Sequence, residues 1–300
     1  MPIIIGISIL RLLDLDVEMN PRDGTYGFTP LHWFCHGGIL LDEDHESDSI
    51  LDNDSLDVLI FNCMIDKGAD LNAQAADGSR TPLHCAARTG MPHLIPAFSS
   101  HNANFRARCA KGGTALHWAA TGGDITVIDE LIQAGLSVID TDDDNRIPLL
   151  WAHPMGRYEL DRDQASEVIE YLIATHGSPC DHLDNKRQNT LHLAAAHRQD
   201  QAVAFLLETK HIDPKLLDIN GMTPLHLAAR EHDSNDTVSL ILRAQPDVTI
   251  HNKLGQTALD LATSEEDQDV VKLIQGYMKN GREATYSKSD IRRYFLPAKL

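Results

Sequence analysis

The stretch Thr81-Pro82-Leu83-His84-Cys85-Ala86-Ala87-Arg88-Thr89-Gly90 decides the reading of this chain. Threonine ahead of proline is a helix start, because the hydroxyl satisfies an amide in the first turn and proline there gives up no bond. Leu83 turns inward. The small pair Ala86-Ala87 lets a neighbouring helix come close. One short helix cannot bury its own apolar face, so a single copy would be unstable alone.

The stretch is not alone. Thr29-Pro30-Leu31-His32 precedes it, and Thr114-Ala115-Leu116-His117, Asn189-Thr190-Leu191-His192, Thr223-Pro224-Leu225-His226 and Thr257-Ala258-Leu259-Asp260 follow, with Ile147-Pro148-Leu149-Leu150 as a weakened copy. Copies begin at 29, 81, 114, 147, 189, 223 and 257, so four of the six gaps are 33 or 34 residues and the others 52 and 42. A 33-residue period carrying T-P-L-H-x-A resembles the ankyrin repeat. The resemblance implies an all-α solenoid of stacked helix–loop–helix units with hairpin-like loops. It spans seven copies over residues 24–278, with a partial repeat or cap at 1–23. Insertions fall near 40–57 and 154–164, and a basic tail or cap at 279–300.

Second helices show doubled apolar positions one turn apart, as in Val127-Ile128 with Leu131-Ile132. Gly68, Gly135 and Asn102 stand where a left-handed residue ends such a helix. Pro92 and Pro96 predict a short or bent second helix in the second copy.

Composition bounds the function. The chain has 300 residues and a formal net charge of −18, which argues against a grip on nucleic acid or anionic lipid. No stretch reaches the length of a membrane span, and the apolar first 15 residues lack the basic start of a signal peptide. Five cysteines without a CxxC pair read as core residues in a reducing compartment, cytoplasmic or nuclear. No dinucleotide, P-loop, nucleophile-elbow or kinase motif occurs, so no catalytic residue and no cofactor is assigned.

The resemblance implies protein recognition by a non-catalytic adaptor, scaffold or inhibitor, acting as a monomer. Recognition would use loop tips and the exposed ends of first helices. Those positions hold Tyr26, Phe28, His36, Arg80, Arg88, Thr121, Arg146, Arg187, His197, Arg198, Met222 and Arg230. Arginine forks suit carboxylates and phosphates, so the expected partner is another protein, presenting an acidic segment. The competing reading is an enzyme or small-ligand binder. Its pocket would form from Trp33, Trp118 and Trp151, which share one repeat column, with His153 and the two insertions. The motif histidines are expected to tie helix starts to loops. His32 and His36 sit at i, i+4, but the glutamate of a zinc-protease helix is replaced by Trp33, so no metal is assigned. The acidic run from Asp42 to Asp57 and the run Asp140–Asp144 read as solvated loops.

Overall fold

The computed structural model describes residues 18–37, 53–76, 79–153, 161–208 and 212–280. The partial repeat up to residue 17, most of the first insertion, residues 154–160 of the second, and the tail from residue 281 lie outside that set. The chain divides into two compact units, Met1–Asp143 and Asp144–Leu300.

In the N-terminal unit the first helices are α1 (Pro30–Cys35), α3 (Pro82–Thr89) and α5 (Ala115–Gly122). The second helices are α2 (Asn53–Asp66), α4 (Ile95–Ser100) and α6 (Ile125–Gln133), and each row packs in sequence order. The alanine pairs Ala86-Ala87 and Ala119-Ala120 are fully buried between first helices. Phe61 and Phe98 meet edge to face at 4.7 Å between second helices, and such a pair adds roughly 0.5–1.5 kcal/mol beyond its buried area. As the two prolines predict, the second helix of the second copy is a 3-10 turn, Pro92–Leu94, followed by the six-residue α4. Asn102 ends it at φ 58°, in the place Gly68 and Gly135 take elsewhere.

In the C-terminal unit the first-helix row is a 3-10 turn (Pro148–Trp151), α8 (Thr190–Ala196), α10 (Pro224–Ala229) and α12 (Ala258–Ser264). The second row is α7 (Arg162–Ala174), α9 (Asp200–Glu208), α11 (Asn235–Arg243) and α13 (Gln268–Asn280). The fourth copy thus loses its first α-helix. Ile147 stands at the cap with no side-chain hydrogen bond, and the turn stops at Ala152. The last residues of each expected insertion are helical. Helix α2 already begins at Asn53 and α7 at Arg162, so Asp54 and Asp57 are helical, both within reach of His93 at 3.3 and 3.2 Å.

One bonding pattern repeats in every well-formed copy. In the second, the Thr81 amide donates to His84 Nδ1 at 3.1 Å, and the Thr81 hydroxyl lies 2.8 Å from the same nitrogen. His84 Nε2 reaches the carbonyl of Gly113 in the following loop. His32 reaches Arg80, His192 reaches Leu216 and His226 reaches Gln256 in the same way. An Nδ1 that accepts and an Nε2 that donates define one neutral tautomer. Burial holds these rings neutral, and it pushes His84 down to about 4. Loops also close on themselves, as Asp184 N donates to Gln188 O, and join the next, as Ile219 N donates to Lys186 O. Among the described residues no strand forms, so the loops are hairpin-like in their bonding only.

Candidate functional site

The N-terminal unit carries a continuous cluster of rings and guanidinium groups. It starts in the loop before α1. Asp23 Oδ1 accepts from the amides of Thr25, Tyr26 and Gly27 at 3.0, 2.6 and 2.8 Å, which winds the loop tightly. Its Oδ2 accepts from Trp33 Nε1 at 2.8 Å. Desolvation pushes the Asp23 carboxyl up, but these donors together hold it below the usual carboxylate range. Gly27 is required here: its φ is +67°, and a Cβ would come within 2.8 Å of the Ala76 backbone nitrogen.

The wound loop sets out its aromatics. Tyr26 and Trp33 are exposed at 44% and 40%, with centroids 6.2 Å apart. Phe28 lies beneath them, 2% exposed and stacked on His32 at 5.1 Å. The half-buried His36 stacks on Trp33 at 6.2 Å. Arg80 holds its guanidinium 5.0 Å from the Phe28 centroid and 5.4 Å from that of Trp118. Arg88, one helix length on, lies 5.5 Å from the same Trp118 centroid. Both arginines are half-buried. A guanidinium over a ring face is attracted by the ring quadrupole, by about 0.5–2 kcal/mol. Burial first, then the charges of Arg88 and Arg80, hold His36 in its neutral form.

The structure brings together Tyr26, Trp33, His36, Arg80, Arg88 and Trp118, and it corrects several expectations. Phe28 is a buried support for Arg80 and offers no surface of its own. Met222 is 5% exposed and packs against Leu227 and Leu261, so it is core. Thr121 is buried, its hydroxyl donating to His117 O. The ligand-pocket reading loses two of its walls: Trp151 is 1% exposed beneath Arg146, and His153 is buried against His197 at 4.7 Å. Cys35, beside His36, is fully buried, and burial pushes its thiol well above its ordinary range. His32 spends both ring nitrogens on Thr29 and Arg80, which leaves neither for a metal.

The arginines of the C-terminal unit are differently placed. Arg146 is committed to Asp144 at 3.1 Å. Arg198 donates to His232 O and faces Asp233. Arg187 and Arg230 are exposed, and His197 is half-buried. Arg146 does lie 5.4 Å from the Trp151 centroid, with His153 stacked on His197, but Trp151 and His153 are buried. Among the described residues no three His, Cys, Asp or Glu side chains converge as metal donors, and no helix is long and apolar enough to cross a membrane.

Sequence reasoning missed Asp23, which organises the cluster. The same role falls to Asp184, Asp218 and Asn252, each accepting two loop amides. An Asp or Asn a few residues before the motif is the signal that would have found them.

The model for ankyrin repeats in three copies matches four overlapping windows, residues 50–142, 83–162, 160–251 and 191–284. The chain belongs to the ankyrin-repeat family. Ankyrin repeats are in general protein–protein interaction modules. The human ASB11 ankyrin repeat domain superposes with a TM-score of 0.63 over 83% of this chain and 98% of that one, at 21% identity, which supports the fold alone. Palmitoyltransferase AKR1 of Lachancea kluyveri is 26% identical over 170 residues, 50% of this chain and 23% of its own length. Mouse Rabankyrin-5 is 28% identical over 138 residues, 46% of this chain and 11% of its own. The chain therefore spans less than a quarter of either relative, and the ankyrin repeats are what it shares with the family model.

Proposed function

We propose that this ankyrin-repeat chain is a non-catalytic adaptor. Acting as a monomer, it binds an acidic segment of another protein on the N-terminal cluster. The observation that carries the reading is the pair Arg80 and Arg88 over one indole. Each guanidinium is oriented before any partner arrives, so little side-chain entropy is lost on binding. A guanidinium's planar fork suits a carboxylate, which it meets through two parallel hydrogen bonds. Tyr26 and Trp33 add exposed, rigid apolar area beside them, the kind of side chain that dominates binding energy at interfaces.

The test is fluorescence polarisation with two degenerate peptide pools of equal length, one rich in Asp and Glu, the other in Lys and Arg. The acidic pool should bind, weaken as salt rises, and lose roughly tenfold or more in the Arg80→Glu, Arg88→Glu double variant. Equal binding of both pools, or no change in the double variant, would overturn the reading.

A further inference from the structure

We propose that Asn220-Gly221, at the tip of the loop before the sixth copy, is a latent modification site. Its chemistry is deamidation with water as the co-reactant, and the loop ladder of the C-terminal unit holds it closed until that ladder opens.

The sequence supplies the reacting groups. An asparagine followed by glycine can close on itself, because no side chain on the second residue blocks the approach. The Gly221 amide nitrogen loses its proton and bonds to Asn220 Cγ, and the side-chain nitrogen leaves as ammonia. Water then opens the five-membered imide at either carbonyl. One opening leaves an aspartate. The other leaves an isoaspartate, whose main chain runs through Cβ and Cγ and is one methylene longer. The net change is from an amide and water to a carboxylic acid and ammonia. Asn220 is exposed, so solvent reaches it.

Three observations carry the rest. The first is that the fold demands this glycine. Gly221 has φ +74°, and a Cβ there would lie 3.3 Å from both Asn252 Cα and Lys253 N. The reactive pair therefore comes with the loop.

The second is that the peptide unit joining Asn220 to Gly221 is held at both ends. Its N–H donates to Asp218 O at 3.0 Å, and its carbonyl accepts from Lys253 N at 2.9 Å. Ring closure needs this plane to swing until the nitrogen faces Cγ, which breaks both bonds. Neither Ile219 nor Asn220 has a positive φ, as in a type I turn, whose third residue keeps ψ at about 0° and the nitrogen turned away from Cγ.

The third is the support around that unit. Asp218 Oδ1 accepts from Asn220 N at 2.7 Å and from Met222 N at 2.9 Å. Ile219 N donates to Lys186 O at 2.9 Å. The loop is thus tied to the one before it and, through Lys253, to the one after. An isoaspartate takes the carbonyl that Lys253 N uses out of the main chain and lengthens the loop. The tie to the seventh copy then cannot re-form, so the mark is a lasting record that the ladder has opened.

The experiment incubates the full chain at pH 8, folded and in urea, beside the free peptide Leu216–Arg230. Trypsin and mass spectrometry follow Asn220, in a fragment separate from the chain's other Asn-Gly pair, Asn280-Gly281. The unfolded chain and the peptide should react alike. The folded chain should be roughly tenfold or more slower, since at least two hydrogen bonds must open first. Asp218→Ala should restore much of the rate. Asp218→Asn, which keeps an acceptor as Asn252 does in the next loop, should not. A folded chain that reacts as fast as the peptide overturns the protection, and an unfolded chain that leaves Asn220 intact overturns the site. The modified chain, separated by ion exchange, should show faster amide exchange at Lys253, and unchanged exchange there overturns the lasting break. If Asp218→Ala fails to fold by circular dichroism, low urea on the parent carries the test. The rate should then climb before global unfolding, and a rate that climbs only with it overturns the local opening.

Discussion

Gly122→Ala is the substitution that should expose how tightly the N-terminal first helices are packed. Alanine at the end of α5 would ordinarily help by about 0.5–1 kcal/mol, since glycine is the poorer helix former. Here an added Cβ falls 2.2 Å from the carbonyl oxygen of Arg88, 2.8 Å from its carbon and 3.0 Å from its Cα. Even a close carbon–oxygen contact needs roughly 3.3 Å, so helices α3 and α5 would have to part by about 1 Å. The obstacle is backbone and cannot rotate away. A gap of that size forfeits a quarter to a half of each contact's attraction along the seam, and overpacking of this kind costs about 1–3 kcal/mol. The expected net loss is about 1–2 kcal/mol. Urea unfolding followed by circular dichroism should show the midpoint falling by roughly 0.5 M or more, with the slope unchanged. Amide exchange should place the loss in Pro82–Thr89 and Ala115–Gly122. Gly24→Ala is the control, because nothing lies within 4 Å of its Cβ. A Gly122→Ala protein as stable as the parent would refute the argument from close approach. The same displacement shifts Trp118 against Arg88, so peptide binding should weaken with stability.

Three further outcomes follow from the same contacts. Burial lowers His32, His84, His192 and His226, His84 to about 4, while the unfolded chain protonates them near 6.5. The unfolded state therefore takes up more protons on acidification, and stability should be full above pH 6.5 and fall from there toward pH 4. Urea midpoints at pH 7.5, 6 and 5 check this, and a flat profile would contradict the neutral-tautomer pattern. His192→Leu strands the Leu216 carbonyl and the Asn189 amide, at about 1–3 kcal/mol, and exchange should speed up around α8 and its following loop. Asp260→Ala removes the acceptor for Thr257 N and Oγ1 at 2.8 and 2.7 Å, so α12 should lose about 1 kcal/mol and fray at its start.

Much of the fold was legible because each repeat obeys local rules. Thr81, Pro82 and His84 make a cap whatever surrounds them, and Pro92 and Pro96 break a helix anywhere. The fourth copy shows where legibility fails. Ile147 replaces the capping threonine in plain sight, yet whether the turn collapses to a 3-10 geometry depends on how Trp151 and Ala152 are buried, and Gln199 donates to the Ala152 carbonyl from another repeat. Burial at the candidate site was equally hidden. Phe28, Arg80 and Met222 all precede a motif by one residue. One is a buried platform, one lies half-buried across two rings, and one is core.

By itself the sequence determined the repeat, its period and the helix starts, because caps, prolines and small pairs act within a few residues of where they stand. Only the tertiary structure decided which side chains face solvent and which charges meet. Trp118 is 30 residues beyond Arg88 and 38 beyond Arg80. Nothing in their own neighbourhoods says that one indole will hold both guanidinium groups. That follows from stacking one copy on the next, which sets distances between residues a whole period apart.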